Sequence, residues 1–157
     1  MGQIIMQEKN IQKYENYREQ NERLKKALAN NFYLEAIFIE YSIMEDRAES
    51  VLNYTGNLPK PRFEGGFVSI DAKMNKIRNL MLNPKLLTKK YFTDEFIDSI
   101  LSWKNDRNGY IHALMKKQLT TEELKAYAQL GAKLSKDFCR ISTNYKRALE
   151  KKNLLVV

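Results

Sequence analysis

Residues 120–152, TTEELKAYAQLGAKLSKDFCRISTNYKRALEKK, carry the clearest structural signal in the chain. Thr120-Thr121-Glu122-Glu123 is a capping box. The Thr120 hydroxyl serves a free backbone N–H of the first turn, and Glu123 reaches back to the cap. Beyond it, Leu124, Ala128, Gly131, Leu134, Phe138, Ile141, Tyr145 and Ala148 recur at intervals of three and four. That period predicts a helix reaching about Lys152 with a single apolar seam, as in a bundle of long helices.

The same period appears upstream. A first helix is expected from about Gln3 to Ala29, on a thin stripe of Ile4, Ile11, Tyr14, Tyr17, Leu24 and Leu28. So thin a stripe predicts a helix that is partly exposed or packed on another chain. Asn30-Asn31 is a stop-and-cap signal. A second helix is expected over about Phe32–Asn53, with Leu34, Ile37, Phe38, Tyr41, Met44, Ala48 and Val51 buried. Residues 55–66 hold two prolines and three glycines and form the one real loop. A short third helix follows, from about Ser69 to Asn83, with Pro84 just beyond it. Thr93 is the expected cap of a fourth helix that reaches about Lys117, with Gly109 as a candidate kink. No strand-like alternation, internal repeat or low-complexity segment is present. The expected fold is all-α: one domain over residues 1–157, built of four to five long antiparallel helices plus a short one.

Composition removes several function classes. The chain has 157 residues, enough for one self-sufficient core. One cysteine, Cys139, excludes an internal disulfide and is expected to be a buried structural thiol. One histidine and one cysteine leave too few ligands for a His/Cys zinc site in the monomer. No apolar run approaches the ~20 residues of a membrane span, and Met1–Met6 is too short for a signal peptide core. A reduced, cytoplasmic setting is the default expectation.

The net charge is +8, and its distribution is uneven. Residues 1–66 carry nine Lys/Arg against ten Asp/Glu, and residues 67–157 carry eighteen against nine. A basic excess confined to one part suggests an anionic partner such as nucleic acid. A solvated basic helix face is the plainer explanation.

The one histidine lies in Trp103-Lys104-Asn105-Asp106-Arg107-Asn108-Gly109-Tyr110-Ile111-His112. Asn108 and His112 share a helix face, whereas Arg107 is five residues from His112 and about 140° round an ideal helix. The length of the arginine, or a kink at Gly109, would bring the two together. Imidazole titrates near neutrality and moves protons, and guanidinium offers a permanent charge and a fork for phosphate oxygens. Asparagine orients the ring or binds a ribose hydroxyl. Such a set suits phosphodiester cleavage without a metal. Lys104, Lys116 and Lys117 flank it as candidate phosphate contacts. Glu45-Asp46-Arg47 on the second helix is a candidate for orienting Arg107, set against a plain solvated face. Tyr91, Phe92 and Trp103 fit the core better than base stacking.

Arg107-Asn108-Gly109-Tyr110-Ile111-His112 within an all-helical chain resembles the HEPN family (higher eukaryotes and prokaryotes nucleotide-binding domain). Ribonucleases of that family carry Arg, four to six residues, then His, commonly with Asn, Asp or His after the Arg. The order of two long helices, a short one, a motif helix and a long last helix also resembles it. The resemblance implies a metal-independent endoribonuclease acting as a toxin or in defence against phage. Arg107 would contact the scissile phosphate, His112 would act as general acid or base, and Asn108 would position one of them. It further implies RNA as substrate, cleavage to 2′,3′-cyclic phosphate and 5′-OH ends, and a homodimer whose two motifs share a cleft. An antitoxin or other regulatory protein is an expected partner. Family toxins controlled by a nucleotidyltransferase carry Arg-x4-His-x-Tyr, and here the last position is Leu114, so that pairing is not expected. The alternatives are a non-catalytic module of the same fold that binds RNA, a nucleotide or a protein, and a helical adaptor.

Overall fold

The structure is a computed structural model that describes residues 2–116 and 119–156. These residues form α1 (Gly2–Ala29), α2 (Tyr33–Tyr54), α3 (Ile70–Leu80), α4 (Thr88–Tyr91), α5 (Asp94–Ala113) and α6 (Thr121–Lys151). A single 3-10 turn, Pro84–Leu86, precedes α4, and no strand occurs among the described residues. The all-helical bundle expected from the sequence is therefore the architecture found. Two of the predicted caps are in place, but Asn30-Asn31 stops α1 without capping α2, whose N-cap is Phe32 with no side-chain hydrogen bond; Asn31 Oδ1 accepts from the Tyr33 hydroxyl at 2.7 Å instead. Thr93 Oγ1 accepts from Phe96 N at 3.1 Å. At Thr120 the box closes both ways, with Glu123 N donating to Thr120 Oγ1 at 3.1 Å and Thr120 N donating to Glu123 Oε2 at 2.9 Å.

The second helix lies at the centre and touches α1, α3, α5 and α6. Partners on several sides bury Ile39, Glu40 and Ile43 as well as Ile37 and Met44. The expected one-sided seam is thus corrected at two positions. Leu34 and Phe38 stand 43% and 67% exposed, on the strip that no neighbour covers.

Helix directions follow from the pairs in contact. Tyr17 meets Asp46 and Lys13 meets Ser50, so α1 runs antiparallel to α2. Phe96 packs on Phe138 and Trp103 on Tyr127, so α5 runs antiparallel to α6. Glu40 lies against Gly131 and Tyr54 against Tyr145, so α2 and α6 run in the same direction. The 55–69 loop carries the chain back along the bundle, which lets α3 start beside the middle of α2. Arg78 then pairs with Asp94 and Asp98, and Lys104 with Asp71, setting α3 antiparallel to α5.

Register also shows how far α1 projects. With Tyr17 opposite Asp46 and Lys13 opposite Ser50, α2 ends near Lys9, and the first turns of α1 extend beyond it. Ile4, Ile5 and Met6 are exposed there, and Ile11 and Tyr14 are exposed alongside α2, which is the partly exposed helix the thin stripe predicts.

The segment between α3 and α5 holds more structure than expected. Asn83 Oδ1 accepts from Lys85 N at 3.0 Å, and Leu87 turns the chain at φ 59°. Tyr145 of α6 holds this turn down. Its hydroxyl donates to the Leu86 carbonyl at 3.0 Å and lies 2.9 Å from the buried Thr88 Oγ1. Lys90 and Tyr91 are thereby placed beside the end of α6.

Candidate functional site

The motif lies on the second half of α5, which runs unbroken through Gly109 to Ala113. No break occurs at Gly109, the candidate kink. Gly109 has open space where a Cβ would sit and no left-handed φ, and the helix passes through it without interruption. Arg107 and His112 therefore keep the ~140° divergence of an ideal helix.

Arg107 faces inward. Its guanidinium carbon sits 3.6 Å from the centroid of the Tyr41 ring on α2, and Nη2 donates to Asn108 Oδ1 at 3.0 Å. The Nε of Arg107 is buried without a hydrogen-bond partner. Burial raises the Tyr41 phenol pKa, and the charge of Glu45 adds to the shift. The neutral ring offers its negative face to the cation.

An aromatic platform backs the motif helix. Tyr127 of α6 stacks on Trp103 with centroids 5.0 Å apart and touches Tyr110 at 4.7 Å. Trp103 Nε1 donates to the Tyr127 carbonyl at 3.2 Å, and the Tyr127 hydroxyl donates to the Trp103 carbonyl. Burial, then the nearby Asp106 charge, raises the Tyr127 pKa, which keeps the phenol a donor. Trp103 and Phe92 are buried and Tyr91 is half-buried, so the core reading of these aromatics holds for the first two.

His112 is exposed near the end of α5 and has no partner among the described residues. Ile111, Leu114 and Met115 stand exposed around it at 44%, 41% and 95%. A cleft of about 500 Å³ beside the motif is lined by Asn105, Asp106, Tyr110 and Glu123 but not by Arg107, Asn108 or His112. Within one chain the structure therefore brings Arg107 and Asn108 together and leaves His112 apart.

The flanking lysines differ. Lys104 is nearly buried and pairs with Asp71 at 2.7 Å, so its charge is already taken. Lys116 is exposed and unpaired among the described residues, and Lys117 lies outside them. Glu45-Asp46-Arg47 does not reach Arg107. Asp46 and Arg47 bind Tyr17 of α1, at 2.6 and 2.7 Å, and Glu45 faces Lys73 at 3.7 Å. The side chain that fixes Arg107 is Tyr41 instead. No sequence signal links them, because the pair is 66 positions apart. Cys139 is half-buried near Arg47 and Asp46, and burial raises its thiol pKa.

Sequence reasoning also missed Glu40. It is fully buried, neither carboxyl oxygen has a hydrogen-bond partner, and burial pushes its pKa up to about 8. Its carboxyl lies where Gly131 leaves room beside Trp103. No group of three or more His, Cys, Asp or Glu among the described residues is placed to hold a metal. No helix among them is long and apolar enough to cross a membrane. Compared with protein-family models, curated proteins and solved structures, the chain matches none of them.

Proposed function

We propose that this chain is a metal-independent endoribonuclease of the HEPN type, with an active site completed by a second copy of the chain. One observation carries the proposal. Arg107, held over Tyr41 and bonded to Asn108, shares an unbroken helix with an exposed, partnerless His112. The ~140° divergence between them argues for a composite site, in which the imidazole of one copy meets the guanidinium of the other. The exposed Ile111, Leu114 and Met115 around His112 suit such a contact.

In the reaction, a ribose 2′-OH attacks the adjacent phosphorus and loses its proton to a base. The P–O5′ bond breaks, and the departing 5′ oxygen takes up a proton from an acid. His112 supplies one of these transfers. Arg107 stabilises the charge that builds on the phosphoryl oxygens, and its Asn108 bond fixes the guanidinium plane. The products are a 2′,3′-cyclic phosphate and a 5′-OH. A role as a toxin or in phage defence, with a regulatory protein partner, belongs to the same proposal.

The test is mixed RNA incubated in EDTA with the protein and with His112→Ala. Cleavage that leaves cyclic phosphate and disappears in the variant supports the proposal. Equal cleavage by both, or none by either, defeats it and favours a non-catalytic binding module.

A further inference from the structure

Among the described residues, a cluster of free positive charge lies at the opposite end of the bundle. There a cleft of about 510 Å³ opens between α4 and the last turns of α6. Its walls carry Lys90, Arg147, Lys151 and Lys152, with Tyr91 and Asn144 between them and no acidic residue. None of the four cations has an ion-pair partner among the described residues. Elsewhere the bundle pairs many of its cations, as Lys13, Arg23, Lys73, Arg78 and Lys104 show. The unpaired charge is held in shape, because the hydrogen bonds of Tyr145 to Leu86 and Thr88 fix α4 against α6, and Tyr91 packs on the Tyr145 ring at 5.8 Å.

The cleft continues along one face of α6. Lys133, Lys136, Arg140, Asn144, Arg147 and Lys151 are all exposed and spaced by three or four, so they form a single stripe. Lys133 and Arg140 share Asp137, at 3.8 and 3.3 Å, so the free charge is densest at the α4 end. The stripe runs toward the end of α6 that packs on the motif half of α5. From Gly131, at the level of Trp103, to Arg147 is about 24 Å at 1.5 Å per residue.

We infer that this cleft and the α6 stripe form a second contact surface for single-stranded RNA, which holds phosphates downstream or upstream of the scissile bond. As a cleavage-related surface the inference rests on the ribonuclease proposal. As a binding surface it stands apart from it. The unpaired cations of the cleft neutralise successive phosphates, and the stripe extends that path along α6. Tyr91 offers an aromatic edge to a base, and Asn144 offers an amide. The charge lies in a concave cleft, which follows a flexible strand better than it meets a flat bilayer.

The experiment measures binding of a labelled single-stranded RNA of about twelve nucleotides. It uses the His112→Ala protein, so that the RNA survives, across about 50–200 mM salt. Arg147→Glu with Lys151→Glu is added to that background. Both positions are exposed, and unchanged helicity and melting confirm the fold. The expected result is binding at least ~10-fold weaker, with a log–log salt slope flatter by about 1.4, or ~0.7 for each phosphate no longer neutralised. Unchanged affinity and slope overturn the inference, as does preference for vesicles rich in anionic lipid over RNA. In the His112-intact protein, the charge-reversed pair should slow cleavage of a long RNA and leave a dinucleotide, too short to span the distance, unaffected. RNA binding that depends on the pair, with no cleavage by the intact protein, would retain the surface and reject the nuclease. Cleavage of long RNA indifferent to the pair would do the reverse.

Discussion

Tyr41 holds Arg107 in place, and its contribution can be separated from the chemistry. If the proposed ribonuclease reading holds, Tyr41→Ala, which removes the ring face and frees the guanidinium, should slow cleavage in EDTA about 30-fold, as for a desolvated cation–π contact. Tyr41→Phe keeps the face and should restore most of the rate. Equal loss in both variants would reject the ring contact as the cause. Arg107→Ala should cost about 10²–10³ in rate, and His112→Ala about 10²–10⁴. Glu40 makes a different prediction. Its folded carboxyl holds a proton up to about pH 8, whereas the unfolded chain releases it in the ordinary carboxylate range. Between those limits the folded state binds more protons, so stability falls as pH rises and the loss is complete above the folded pKa. The expected loss is on the order of 4 kcal/mol between about pH 5 and 8. Glu40→Gln should flatten the curve of urea midpoint against pH in that window. Parallel curves for the two proteins would contradict it.

At the scale of elements, α6 is positioned by its cap and by Gly131. The capping box satisfies two backbone donors at the start of the longest helix, and Thr120→Ala should cost about 1 kcal/mol. Gly131 permits the close approach of α6 to α2 and α5. A Cβ there would lie 2.6 Å from Trp103 Cζ2 and would also press on the Glu40 carboxyl. Gly131→Ala should therefore destabilise the protein by about 1–3 kcal/mol through overpacking, although alanine is the better helix former. Urea denaturation measures both substitutions. A stabilised Gly131→Ala protein would show that the packing there is loose. The α1–α2 pair is held differently. Arg47 lies 4.5 Å over the Tyr17 ring and binds both its hydroxyl and Asp46, so charge, ring and hydrogen bond secure a helix whose apolar contribution is small.

For the whole molecule, the unbroken motif helix makes self-association part of the proposed chemistry. Specific activity should rise with protein concentration, in step with dimer formation measured by sedimentation. Arg107→Ala and His112→Ala proteins, each inactive alone, should regain cleavage when mixed, because one mixed pair restores a site with both groups. No recovery in a mixture shown to exchange subunits would reject the composite site.

The sequence by itself determined the long helices, the caps at Thr93 and Thr120, the 55–66 loop and the motif, because period, capping chemistry and backbone breakers act over a few residues. Thr93 and Thr120 needed no partner beyond their own first turns. The sequence also showed that positive charge gathers after residue 66. Only the tertiary structure decided which side chains share a place. Arg107 found Tyr41 rather than Asp46, Glu40 was buried, Phe38 was left outside, and Lys90 came to lie beside Arg147. Each of these depends on which helix faces which, and that follows from close packing between distant segments. A helical period shows that a face is apolar, but the neighbour that covers it is set by how several such faces pack together.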